Sequence, residues 1–314
     1  MRLVFMGTPD FAIPSLMKLI SSHHVTAGVV TQPDRPKGRK LRIATPPVKL
    51  KALSSGIPVV QPENLADPGF IRTLKSWNAD CFAVVAYRIL PPEVFGIPTQ
   101  GTINLHASLL PKYRGAAPIQ WALIRGEKET GVTTFFIEKK VDTGEWILQE
   151  RLPIAPDETA GELHDRLAEI GAECLLRTLD LIERGESPRN PQRGKPSTAP
   201  KILPEHCKID WHQSAGDIVN LIRGLSPLPG AFTSWNGKRL KCYQAIQSQS
   251  TIPDPFPPGT VLNAGRDGLL ISAGAGNVLV RSLQSECGEK MEADVFLRGH
   301  RIESGTVLGK SESG

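Results

Sequence analysis

Apolar residues follow two rhythms along the first half of the chain. Short runs that are apolar throughout alternate with longer stretches of helical spacing. Leu3–Met6, Val25–Thr31, Cys81–Ala86, Thr102–His106 and Thr133–Ile137 are the candidate strands. Phe11–Ser21, Pro46–Ser55 and Gly69–Trp77, lying between them, are the candidate helices. A run such as Phe82-Ala83-Val84-Val85-Ala86 has no polar face, which suits a strand covered on both sides. The alternation predicts an α/β domain built on a doubly wound, mostly parallel sheet. Ligands of such sheets bind beyond the carboxyl ends of the strands. The residues after Ala86 and Leu105 therefore hold privileged positions.

A long helix is expected next, from about Thr159 to Arg184, with Leu163, Leu167, Ile170, Cys174, Leu175, Leu179 and Ile182 at helical spacing. The pattern then lapses. Gly185 to Pro204 holds five prolines among Gly, Ser and basic residues and reads as an interdomain linker. After Cys207 come one short helix, Ala215–Arg223, and a series of short strands: Val261-Leu262, Leu269–Ser272 and Val278–Leu283. Asn236-Gly237 marks a hairpin, because both residues tolerate the positive φ that a tight turn needs. A small, OB-like β-barrel is the economical reading. The expected division is a catalytic domain over 1–187, a basic linker over 188–206 and a barrel over 207–314. Gly259-Thr260-Val261-Leu262 recurs as Gly305-Thr306-Val307-Leu308, and four residues being too few for a repeat, the recurrence reads as chance.

Composition narrows the class without deciding it. At 314 residues, 40% hydrophobic and 22% charged, the chain can bury two cores. No apolar run approaches the roughly 18 residues of a membrane span. The opening Arg2-Leu3-Val4-Phe5-Met6 is a buried-strand pattern rather than a leader, so a cytoplasmic location with no membrane partner is expected. Five scattered cysteines without a CxxC pair argue against a disulfide framework or a zinc site. The seven histidines show no ligand spacing, and no metal is expected. The net charge of +5 is mild, but it is unevenly placed. Arg35, Lys37, Arg39, Lys40, Arg42, Lys49 and Lys51 occupy a stretch without acids, and Arg189, Arg193, Lys195 and Lys201 another. Such blocks are commonly solvated surface; two beside a catalytic domain favour phosphate contact.

The densest chemistry lies in Asn104-Leu105-His106-Ala107-Ser108-Leu109-Leu110-Pro111 and its continuation Lys112-Tyr113-Arg114-Gly115-Ala116-Ala117-Pro118-Ile119. In a strand, Asn104 and His106 point from the same face, which places an amide beside an imidazole at a carboxyl end. Taken alone, such a pair more often satisfies local backbone. Val141-Asp142-Thr143-Gly144 is a turn after another strand. An Asp before Thr-Gly is ordinary turn chemistry unless the fold brings it to the imidazole.

These residues carry a resemblance. His106-x-Ser-Leu-Leu-Pro111, then Arg114-Gly115-Ala116-x-Pro118-Ile119 and Asp142-Thr143-Gly144, resemble the folate-dependent formyltransferases. Gly7-Thr8-Pro9-Asp10-Phe11, the basic loop Gln32–Arg39, Val84-Val85-Ala86-Tyr87 and Ile209-Asp210-Trp211 are similar to the members that act on an aminoacylated tRNA. The similarity runs along nearly the whole chain, strongly to Gly144 and loosely beyond Trp211. Arg88 departs from it, standing where many relatives have Gly.

The resemblance implies a Rossmann-like formyltransferase domain, N10-formyltetrahydrofolate as donor and methionyl-initiator tRNA as acceptor; a monomer is expected, though no residue pattern bears on it. It implies Asn104 as oxyanion donor, His106 as proton carrier and Asp142 as the group that orients the imidazole and stabilises its charged form. Ser108, Leu109, Leu110, Pro111 and Tyr87 are the expected folate contacts, Ser108 being a pocket or turn residue rather than a nucleophile. Lys37, Arg39, Lys40, Arg42 and Lys201 are the expected tRNA contacts, with Lys238, Arg239 and Lys241 as further candidates. A nucleotide-sugar amine is the alternative acceptor. A nicotinamide oxidoreductase is disfavoured because Gly-x-Gly-x-x-Gly is absent and Gln32 stands where an acid is needed. A non-catalytic RNA-binding protein is disfavoured by the Asn104, His106 and Asp142 set.

Overall fold

A computed structural model describes residues 1–37, 42–248 and 256–309. The chain divides into two compact units. The first comprises Met1–Pro118, Glu129–Pro153 and His164–Ala199; the second comprises Ile119–Lys128, Ile154–Leu163 and Pro200–Gly314.

The first unit is organised on seven strands: β1 (Arg2–Gly7), β2 (Val25–Val30), β5 (Val59–Val60), β6 (Cys81–Val85), β7 (Thr102–His106), β8 (Glu129–Phe136) and β9 (Trp146–Pro153). A separate two-stranded ribbon pairs β3 (Arg35–Lys37) with β4 (Arg42–Ala44). The seven-stranded order is β5-β2-β1-β6-β7-β8-β9. Pairs from β5 to β7 are parallel, whereas β8 and β9 add antiparallel. All-apolar strands sit centrally, where both faces are covered: Leu3, Val4, Phe5 and Met6 on β1 and Cys81, Phe82, Ala83 and Val85 on β6 are fully buried. The helices α1 (Ile13–Ile20), α2 (Pro47–Ser54), α3 (Pro68–Ser76) and α4 (Pro92–Phe95) follow strands in the manner of a wound sheet. Asp67 caps α3 by accepting from the Phe70 N–H at 2.8 Å, with Pro68 just inside the first turn.

The expected strands appear as β1, β2, β6, β7 and β8. Of the edge strands, β5 is only two residues long, Val59-Val60, and β9 mixes apolar with polar residues because its burial is partial, so neither carries a clear strand pattern. The long helix runs over Ala160–Glu183, with Leu163, Leu167, Cys174, Leu175, Leu179 and Ile182 buried and Ile170 half-buried.

The second unit carries an antiparallel sheet of β10 (Ala231–Trp235), β11 (Lys238–Ser248), β14 (Asn277–Ser285), β13 (Gly268–Ser272) and β12 (Val261–Gly265), in that order, with β15 (Met291–Glu292) added to β14. Asn236 and Gly237 join β10 to β11 at φ of 49° and 69°, the geometry their side chains tolerate. A helix over Ala215–Gly224, capped by Ser214, buries Ile218 and Ile222 into this unit's core. The two Gly-Thr-Val-Leu tetrapeptides pair with each other. Val261 N–H donates to Thr306 O and Leu308 N–H to Gly259 O, both at 2.8 Å, while Gly309 N–H donates to Ser234 O on β10. Residues 305–309 thus bond to both edge strands and draw them together, as the barrel reading required. Both tetrapeptides begin on a left-handed glycine, Gly259 at φ 88° and Gly305 at φ 92°. No helix among the described residues is long and apolar enough to cross a membrane.

Candidate active site

The carboxyl ends of β6 and β7 deliver the key side chains. On β7, Asn104 pairs with Val84 of β6 and His106 pairs with Thr133 of β8. His106 is buried, and its Nε2 lies 2.8 Å from the Tyr113 carbonyl. A carbonyl can only accept, so Nε2 carries the proton and donates. In the neutral imidazole Nδ1 then holds the lone pair, and it lies 3.9 Å from Asp142 Oδ2. Tyr113 reaches this position through a left-handed backbone, φ 60°.

Asp142 sits in a tight loop between β8 and β9, itself at φ 52°. Its Oδ2 accepts from the Gly115 N–H at 2.8 Å. The two motif glycines have steric reasons. A side chain on Gly144 would collide with the Phe136 carbonyl, and Gly115, at φ 122°, would place a Cβ 2.6 Å from the Ala199 carbonyl.

A cavity of about 510 Å³ opens beside these groups, with Tyr87, Arg88, Asn104, His106 and Asp142 on its wall. Phe11, Leu90 and Ile137 make it partly apolar. Among the described residues the Asn104 amide makes no side-chain hydrogen bond, which leaves its N–H donors available to a ligand. Arg88 clamps its own loop, donating to Glu63 O at 2.9 Å, Pro62 O at 2.6 Å and the Tyr87 hydroxyl at 3.0 Å. Burial raises the Tyr87 phenol pKa, and the Arg88 guanidinium partly offsets this.

The structure thus gathers Tyr87, Asn104, His106 and Asp142 about one cavity. Ser108, Leu109, Leu110 and Pro111 do not line it. Ser108 is fully buried, and its hydroxyl donates to Lys112 O at 2.6 Å. Leu110 N–H donates to the Thr133 hydroxyl, which donates in turn to Ser108 O at 2.6 Å, so this segment is a braced turn behind the imidazole. Arg39 and Lys40 lie outside the described residues, as do the side chains of Lys37 and Arg42. Lys201, Lys238 and Arg239 are exposed in the second unit, where Arg239 packs over the Phe232 ring at 4.1 Å; Lys241 is half-buried, its Nζ donating to Pro229 O.

Sequence reasoning missed three contributors: the Tyr113 carbonyl, the Gly115 N–H and Gln192. The Gln192 amide donates to Asp142 O at 3.0 Å and Gly144 O at 2.9 Å, and its oxygen accepts from Arg114 Nε and Nη2 at 3.1 and 2.6 Å. The first two act through backbone and carry no side-chain signature. A second titratable cluster, His23, His24, Asp180 and Glu183, has ligand atoms within 4.8 Å of one another. Its polar atoms are already paired: His24 Nε2 with Asp180 at 3.0 Å, His23 with Glu183 at 2.8 Å, and the Met1 ammonium with Glu183 and His24 Nδ1.

Residues 1–179 match the family model described as formyl transferase, which is more than half of the chain. The chain belongs to the formyl transferase family. Residues 201–301 of this formyl transferase match the model of that family's C-terminal domain. It is 48% identical over 314 residues to the methionyl-tRNA formyltransferase of Pelotomaculum thermopropionicum, covering 99% of both chains. It is likewise 48% identical to that of Moorella thermoacetica, covering 98% of this chain and 99% of the relative. A solved sugar 3N-formyl transferase, studied in the presence of dTDP and 5-N-formyl-THF, shares the fold at a TM-score of 0.66 and 20% identity, over 89% of this chain and 97% of that one.

Proposed function

We propose that this formyl transferase moves the formyl group of N10-formyltetrahydrofolate to the α-amine of methionyl-initiator tRNA. The observation that carries the reading is the meeting of Asn104, His106 and Asp142 on the wall of one cavity. The full-length likeness to methionyl-tRNA formyltransferases supports the choice of acceptor. Folate as donor is supported by the family and by the formyl-THF named with the sugar enzyme that shares the fold.

The amine nitrogen attacks the formyl carbon and forms a C–N bond. The carbonyl electrons move onto oxygen, and the tetrahedral species collapses with cleavage of the bond to folate N10, which leaves with the proton that His106 took from the amine. Asn104 donates to the developing oxyanion; a donor of this kind is typically worth about 10²–10³ in rate. His106 accepts the amine proton on Nδ1, because Nε2 is committed to Tyr113 O. The imidazolium so formed faces the Asp142 carboxylate, which offsets its charge across 3.9 Å. Orientation of the ring falls to Tyr113, and Asp142 is left with the electrostatic part of the role first given to it. The amine is itself the nucleophile, so no formyl-enzyme is needed.

The acceptor is held by phosphate contacts from Lys37, Arg39, Lys40, Arg42 and Lys201, with β3 and β4 pairing as a stem of which Lys37 and Arg42 are end residues. Asp34 anchors that stem, bonded to Lys49 at 2.7 Å and Gln61 at 2.8 Å; these bonds hold its carboxyl pKa below the usual range. The test is an acceptor comparison. Incubated with N10-formyltetrahydrofolate, the enzyme should formylate charged initiator tRNA and leave a nucleotide-sugar amine untouched. The reverse preference would overturn the reading.

A further inference from the structure

Residues 190–199 are stitched to both halves of the site. At one end, Asn190 and Trp146 exchange backbone hydrogen bonds at 2.9 and 3.1 Å, just past the Asp142 loop. At the other, Arg114 N–H donates to Ser197 O at 2.9 Å, Ala199 N–H to Arg114 O at 2.7 Å, and Tyr113 N–H to the Ser197 hydroxyl at 2.9 Å. The Tyr113 peptide is the one whose carbonyl fixes His106. One strap therefore touches the anchor of the imidazole and the loop of the carboxylate.

Gln192 is the only side chain of that strap, among the described residues, that hydrogen-bonds to the Asp142 loop. Its NH₂ group bridges the carbonyls of Asp142, the left-handed residue of the turn, and of Gly144, on either side of Thr143. Its oxygen is held by two Arg114 donors, so the amide cannot rotate without losing charge-assisted bonds. Arg114 in turn adjoins Gly115, whose N–H holds the Asp142 carboxylate. The loop is thus gripped at both its backbone and its side chain, and the grip closes through Gln192. Asp takes the left-handed conformation more readily than most residues, so these bonds fix where the turn lies rather than force its backbone.

We propose that Gln192 is a positioning residue for formyl transfer: it sets the separation of Asp142 from His106 and contacts no substrate. The proposal rests on the catalytic roles given to those two residues. Misplacement of a catalytic group by about 1 Å can cost on the order of 10²-fold in rate. The expected signature is a fall in kcat with binding intact.

Two variants separate this from simple anchoring of Arg114. Gln192→Glu keeps an acceptor for the guanidinium but has no N–H for the two carbonyls, whereas Gln192→Met keeps the volume and loses both. The measurements are crystal structures of wild type and both variants, with kcat and KM for formylfolate and methionyl-tRNA below each variant's Tm. In both variants the His106–Asp142 separation should change by about 1 Å, and kcat should fall about 10–100-fold with each KM within about twofold. An unmoved Asp142, a Gln192→Glu enzyme at wild-type kcat, or a loss that merely follows Tm overturns the proposal. A wild-type enzyme without transfer activity would refute the functional reading instead, and the position of Asp142 in the variants would still decide Gln192.

Discussion

His106 commits its Nε2 to the main-chain carbonyl of Tyr113 at 2.8 Å, so the ring is oriented by backbone and only Nδ1 is available for proton transfer. Asp142 lies on that free side without bonding to it, its nearer oxygen taken by Gly115 N–H. Asp142→Asn retains an acceptor for Gly115 and removes the charge. Its kcat should drop by about 10²-fold or more while folate binding, followed by fluorescence titration, is preserved. Parity in kcat would remove Asp142 from the chemistry.

Arg88→Ala should act on the folate side. It removes two bonds that hold the Tyr87–Leu90 wall to Pro62 and Glu63 and a third, within that wall, to the Tyr87 hydroxyl. With each bond worth about 0.5–1.5 kcal/mol net, KM for formylfolate should rise roughly 10-fold, and kcat should change less. Steady-state kinetics at saturating tRNA check this; an effect confined to kcat would contradict it.

Gly144→Ala forces a methyl group against the Phe136 carbonyl. Overpacking of this kind costs about 1–3 kcal/mol, and here the strain falls on the Asp142 loop. Both Tm and kcat should fall, whereas in the Gln192 variants kcat should fall by more than any change in Tm accounts for. Calorimetry beside the formylation assay separates the two patterns.

The proton balance at His24 gives a pH prediction. Burial lowers its pKa below 6.5, with His23 and the Met1 ammonium adding to the effect and Glu183 and Asp180 opposing it. The unfolded chain then binds the proton more readily than the folded one. The contribution to stability is complete above pH 6.5 and is lost as pH falls through the lowered folded value. Wild type should lose Tm between pH 7.5 and 5, and His24→Gln should lose less. Equal losses would contradict the assignment.

Much of this was legible in the chain because it depends on local periodicity. The central strands are apolar on both faces, and the period of two put Asn104 and His106 on one side of β7 before any contact was visible. The approach of Asp142 was not legible, since it depends on β8 pairing antiparallel to β7 and on a turn closed by backbone bonds. Gly185–Pro204 has the composition of a linker, yet residues 190–199 bond along the site loops through main chain and one amide, which composition does not register. The two Gly-Thr-Val-Leu segments looked like coincidence and prove to be pairing partners, because similarity over four residues carries no register until the sheet supplies it. Conversely, the motif residues Ser108–Pro111 drew attention as folate contacts, and they brace the turn behind His106.

Salt offers a check on the acceptor. If Arg39 and its neighbours hold phosphates, the Kd for methionyl-tRNA should weaken steeply between low and moderate salt while that for formylfolate stays nearly flat. Arg39→Ala should reduce the slope. A flat dependence would remove the phosphate contacts.

The most direct test of the central claim is single-turnover formyl transfer to charged initiator tRNA by wild type, Asn104→Ala and His106→Ala, with both substrates bound to saturation. The account predicts intact binding in all three, a rate loss of about 10²–10³ for Asn104→Ala and about 10²–10⁴ for His106→Ala. Transfer at the wild-type rate by either variant would contradict it.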